Sequence, residues 1–114
     1  ETETEVLNTL NTKEKYLKRV QEGFKEVMNY GGTGSGYINH SYKPAGKTGT
    51  SETVYSKDIT TITQTYAMFA PYDNPKYSIV VISPNISYNN DEDTYIAPIN
   101  RYISKEVSKL VFEK

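Results

Sequence analysis

From Lys47 to Ile82 the chain is dense in Thr, Val, Ile, Tyr and Phe, and on either side of that block apolar residues recur at helical spacing. β-Branched and aromatic side chains fit a pleated, half-buried surface, so the block predicts strands. We place them near 45–53, 61–70 and 76–83. Tyr72-Asp73-Asn74-Pro75 reads as the hairpin turn between the last two, and Thr53 to Asp58 as a loop between the first two. Ile79-Val80-Val81-Ile82 is an unbroken apolar run, which predicts a strand covered on both faces.

The flanks read as helices. Asn11 followed by Glu14 resembles a capping box, and Leu17, Val20, Phe24, Val27 and Met28 then fall on one face of a helix over about 12–29. Four glycines between Gly31 and Gly36 end that helix and predict a flexible connector, with a loop running on to Pro44. Residues 84–95 are rich in Asn and acid and predict an exposed loop. Pro98 suits the first turn of a last helix, whose apolar face is Ile99, Ile103, Val107, Leu110 and Val111. Both apolar faces are expected to be core. The fold class is therefore α+β: an antiparallel sheet flanked by an N-terminal and a C-terminal helix, without internal repeats.

Bulk properties exclude several functions. A net charge of -1 and a pI near 5.9 leave no basic stripe, so no nucleic-acid partner is expected. No cysteine is present, which excludes disulfides and thiolate metal sites. No apolar run is long enough to span a membrane. With 114 residues the chain is about one domain's worth, and its start at Glu1 is expected of a processed or truncated product.

Chemistry concentrates in Lys43-Pro44-Ala45-Gly46-Lys47-Thr48-Gly49-Thr50-Ser51-Glu52. On a strand, alternation sends Lys47 and Gly49 to one face and Thr48 and Thr50 to the other. Gly49 leaves room for a ligand or another backbone to approach. An edge strand of this kind can pair with an extended peptide while Lys47 and a threonine hydroxyl hold its carboxylate.

The surrounding order sharpens that reading. Glu22-Gly23-Phe24 and Gly32-Thr33-Gly34 precede the strand, and Phe69-Ala70-Pro71-Tyr72-Asp73-Asn74-Pro75-Lys76-Tyr77 follows it. Over about residues 16–111 this resembles the C-terminal part of the transpeptidase domain in class B high-molecular-weight penicillin-binding proteins. The resemblance implies a partial serine β-lactamase/transpeptidase fold, with residues 1–114 as its Lys-Thr-Gly subdomain and no other domain. It implies that Lys47 holds the carboxylate of a stem peptide or β-lactam and biases a neighbouring serine. Thr48 would support strand geometry, Gly49 would make room for the acyl group, and Thr50 would give a backbone N–H to the oxyanion hole and a hydroxyl to the carboxylate. Lys47, Gly49, Thr50 and Ser51 would form the substrate-binding run. The implied parent is a membrane-anchored enzyme at the extracytoplasmic face of a bacterial cell, acting in peptidoglycan synthesis without a cofactor.

Departures from the family pattern matter as much. Family members carry Ser-x-x-Lys, Ser-x-Asn and Lys-Thr-Gly. No serine here has Lys three residues later, so the nucleophile is absent and the chain is expected to be inactive alone. Ser83-Pro84-Asn85 and Ser87-Tyr88-Asn89 match Ser-x-Asn literally but lie after Lys47, on the wrong side, and read as decoys. Ser51 and Met68 stand where the family often has Ala and Gly, which touches packing alone.

Other signals are weaker. Gly46-Lys47-Thr48 mimics the end of a phosphate-binding loop, but Ser41 stands where that motif needs Gly and strands follow where it needs a helix. His40 has no second ligand type beside it, so no metal is expected. Asp91-Glu92-Asp93 reads as a solvated loop, and the 11 tyrosines as packing residues. The competing functions are a non-catalytic extracellular peptide-binding module and a fragment of a β-lactam sensor. A fragment of this kind should expose apolar surface and form a homodimer or be marginally stable.

Overall fold

The computed structural model describes residues 3, 5–29, 31–57, 59–89 and 98–113. Helix α1 (Glu14–Met28) is followed by a short 3-10 turn at His40–Tyr42. Strands β1 (Ala45–Ser56), β2 (Ile59–Ala70) and β3 (Tyr77–Asn89) come next, then helix α2 (Ile99–Phe112). The strands form one antiparallel sheet in the order β1-β2-β3.

The strands run further than the composition predicts. β1 continues to Ser56 and β2 starts at Ile59, so most of the expected Thr53–Asp58 loop is strand, Asp58 itself lying outside the described residues. β3 runs on to Asn89, through what reads as loop sequence. There the β2–β3 register shifts between Ile62 and Gln64, and Asn85 adopts a left-handed φ of 52°. Pro84 sits in this irregularity, where a missing N–H costs no ladder bond. Asp91-Glu92-Asp93 lie outside the described residues.

Register assigns the two faces. Gly46, Thr48 and Thr50 share a face with Tyr66, Met68, Ile79 and Val81. The core forms there, from Met28, Ile38, Tyr66, Met68, Ala70 and Ile79, with Val107, Val111 and Phe112 of α2 packed against it. Lys47 and Gly49 share the other face with Thr65, Ala67, Val80 and Ile82. That face is open: Val80 is 64% exposed and Ile82 62%. The expectation of a strand covered on both faces fails within this chain, because both helices bury their contacts without covering β3 on this side.

Each helix also corrects its expected detail. α1 starts on Lys13 as N-cap with no side-chain cap, so Asn11 does not close a capping box. Glu14 instead occupies the first turn, where a carboxylate faces the positive end of the helix, and pairs with Lys18 at 2.6 Å. Only its last turns pack: Met28 is buried and Phe24 and Val27 half-buried, whereas Val20 is 54% exposed. In α2 the fully buried stripe is Asn100, Ser104 and Ser108, while Leu110 is 72% exposed. Small side chains let the helix backbone approach the sheet closely, and the buried polar atoms need partners in return. Ser83 supplies one by donating its hydroxyl to Asn100 Oδ1.

Candidate functional site

The Lys47–Ser51 run lies on β1, an outer strand of the sheet, as the alternation argument requires. Among the described residues no strand pairs with its outer edge. α1 packs beside its beginning, and from Thr50 to Val54 every side chain is exposed. Thr48 and Gly49 are half-buried, whereas Lys47, Thr50 and Ser51 are exposed.

Lys47 stands on the open face, and its ammonium donates to the carbonyl of Thr48 at 2.6 Å. Beside it Phe24, Ala67, Phe69 and Val80 line a shallow apolar groove of about 300 Å³. Phe24 meets Phe69 edge to face at 6.5 Å, which fixes the helix side of the groove. A cation at the rim of an apolar groove can fix the carboxylate of a ligand whose apolar part lies along the strand.

Gly49 pairs with Thr65 across the sheet. A Cβ on Gly49 would come within 2.3 Å of Thr65 Oγ1, so the missing side chain is what lets the Thr65 hydroxyl lie against the strand here. Thr48 turns the other way. Its hydroxyl donates to Thr33 Oγ1 at 2.9 Å, tying the strand to the glycine-rich loop. Sequence reasoning gave Thr33 no role, although it stands inside the Gly32-Thr33-Gly34 motif.

Below Thr48 its cross-strand partner Tyr66 is fully buried and stacks on Tyr37 at 5.1 Å. Burial holds the Tyr66 phenol protonated, far above its ordinary range, and the nearby Tyr37 adds to the effect. At the entrance to β1, Lys43 takes a left-handed φ of 53° and its ammonium bonds Asp73 at 2.6 Å. That hydrogen bond lowers the Asp73 carboxyl below its ordinary value and raises Lys43. It closes the β2–β3 turn onto β1, together with the Tyr72 N–H donating to the Lys43 carbonyl at 2.8 Å.

The literal Ser-x-Asn matches do not gather here. Ser83 is buried against α2, on the face away from Lys47, and Asn85 accepts from Thr61 at 2.8 Å. Ser87-Tyr88-Asn89 is at the far end of β3. His40 is exposed on the 3-10 turn, and the described residues hold no group of three metal-ligating side chains.

The penicillin binding protein transpeptidase domain family model matches residues 1–105. The chain belongs to that family. Penicillin-binding protein 2A of Bacillus subtilis (strain 168) is 38% identical over 117 residues, covering 96% of this chain and 15% of that protein. The chain thus spans less than a sixth of the length of this penicillin-binding relative. Together with the three-stranded sheet flanked by helices, the match identifies a partial transpeptidase-like α+β fold.

Proposed function

We propose that this chain supplies the Lys-Thr-Gly strand of a peptidoglycan D,D-transpeptidase. The observation that carries the proposal is the run Lys47-Thr48-Gly49-Thr50 on an open outer strand, beside a groove, in a member of this family. In the reaction, a serine hydroxyl from the rest of the enzyme attacks the carbonyl of a D-Ala-D-Ala peptide bond. The C–N bond breaks, and D-Ala leaves with the proton on its amine. The acyl group then passes to an amine on a neighbouring strand, which releases the serine. β-Lactams acylate the same serine by ring opening.

In this reading Lys47 and the Thr50 hydroxyl, which alternation sends to opposite faces of β1, hold the substrate carboxylate around its exposed outer edge, and Ser51 extends the polar lining. The Thr50 N–H donates to the oxyanion, a contribution typically of ~3 kcal/mol for one donor. Gly49, with no Cβ, lets the acyl chain lie close along β1 once the Thr65 hydroxyl turns aside. Residues 1–114 act as one C-terminal subdomain, silent without the serine. The enzyme works at the extracytoplasmic face of the bacterial membrane.

Labelling with a fluorescent penicillin tests this. The isolated chain should take no covalent label, and the complete protein that contains it should take one, on a serine outside residues 1–114. Lys47→Ala in the complete protein should slow acylation by about a hundredfold, the scale of losing one preorganised charged contact. A complete protein that no penicillin labels would overturn the assignment and return β1 to a peptide-binding edge.

A further inference from the structure

The loop that carries Thr33 is held in place by more than the Thr48–Thr33 bond. The Gly34 N–H donates to the Val27 carbonyl at 2.9 Å, and the Gly32 N–H to Asn29 at 3.0 Å, so the loop closes onto the end of α1. A Cβ on Gly32 would fall 2.2 Å from the Val27 carbonyl oxygen, so only glycine lets the loop seat this closely. Three residues past Gly34, Tyr37 stacks on Tyr66, whose hydroxyl donates to Met28 Sδ at 3.7 Å. Tyr66 is in turn the cross-strand partner of Thr48. Helix end, loop and sheet therefore form a closed triangle of contacts, and the Thr48–Thr33 bond is its side nearest the site. The loop expected to be a flexible connector is a packed bracket.

We propose that Thr33 is a positioning residue for the Lys47–Thr50 segment, a role that rests on the transpeptidase reading above. Thr48 lies between Lys47 and Gly49 and points to the opposite face. Holding its hydroxyl fixes the rotation of the strand about its own axis. That rotation sets where Lys47 projects on the other face and where the Thr50 N–H lies. Thr33 touches no substrate and acts through Thr48.

The test uses the complete protein, with Thr33→Val, which keeps the shape and removes the acceptor, and Thr33→Ser, which keeps the hydroxyl. Acylation by benzylpenicillin is followed over a concentration series to separate the saturating rate from apparent affinity, and thermal unfolding is measured on the same samples. Thr33→Val should lower the saturating rate about tenfold, the scale of one lost neutral hydrogen bond. Its Tm should stay within a few degrees of the parent, because Thr33 is exposed. Thr33→Ser should restore the rate to within about twofold, the oxygen being kept. A Thr33→Val protein that acylates at the parent rate, while Lys47→Ala is slowed, overturns the role of Thr33 and leaves the transpeptidase reading standing. A loss that follows Tm and is not rescued by Ser also overturns it. A parent that is not acylated at all overturns the transpeptidase reading and this inference with it.

Discussion

Two glycines three residues apart on β1 answer to different constraints. A Cβ on Gly46 would lie 2.4 Å from the Ala67 carbonyl oxygen, which is backbone and cannot step aside. A Cβ on Gly49 would meet the Thr65 hydroxyl, which can rotate away into solvent. Gly46→Ala should therefore destabilise the complete protein by ~1–3 kcal/mol through overpacking, while Gly49→Ala leaves its unfolding nearly unchanged. Acylation should show the reverse order per folded molecule, because the Gly49 space is the one assigned to the acyl group. Denaturant unfolding and penicillin labelling of both variants decide this. Equal destabilisation by the two substitutions would contradict it. The Lys47–Ser51 placement was legible in the sequence because a strand's alternation needs only its own residues. Thr33 was not, because its partner lies 15 positions away and the pairing depends on how the intervening loop seats on α1.

At the scale of elements, α2 shows where periodicity misleads. Ile99, Ile103, Val107, Leu110 and Val111 define an apolar face by spacing, yet the helix buries Asn100, Ser104 and Ser108 completely. Spacing reveals that a helix is amphipathic, and not which side meets the sheet when both sides can pack. The two buried serines nearest the sheet contact should respond oppositely to truncation. Ser83→Ala leaves Asn100 Oδ1 buried without its donor, and should cost ~1–3 kcal/mol. The Ser104 hydroxyl has no partner among the described residues, so Ser104→Ala should be neutral or slightly stabilising. Urea unfolding of the two variants gives the comparison, and a Ser104→Ala loss as large as that of Ser83→Ala would show that Ser104 has an acceptor the packing does not reveal. The strands outrun their composition for a related reason. β3 resumes pairing with β2 at Ser87, past the unpaired Pro84, Asn85 and Ile86, where composition alone reads loop.

For the molecule as a whole, several exposed apolar side chains fall on particular faces of the elements. Val80 and Ile82 stand on the open face of β3, while Ile99, Ile103 and Leu110 follow the uncovered side of α2. Leu17 and Val20 mark the part of α1 that packs on nothing within the described residues. Single exposed apolar residues are ordinary, but contiguous patches in a short chain point to surfaces that are covered in use. β3 also has no strand on its outer side among the described residues, leaving a second edge able to pair. The chain covers 15% of its Bacillus relative, so most of what could cover these patches lies elsewhere in a protein of that kind. Expressed alone, the 114-residue chain should therefore associate with itself. Sedimentation velocity should show dimers or larger species growing with concentration, and Tm should rise with concentration because assembly stabilises the folded state by mass action. Val80→Lys with Ile82→Lys places two cations on the open face and should shift the species toward monomer. It spares the core, since neither side chain is buried. A parent chain that stays monomeric across a hundredfold concentration range, with a high and constant Tm, would mean that the sheet and two helices are self-sufficient and the open face needs no cover.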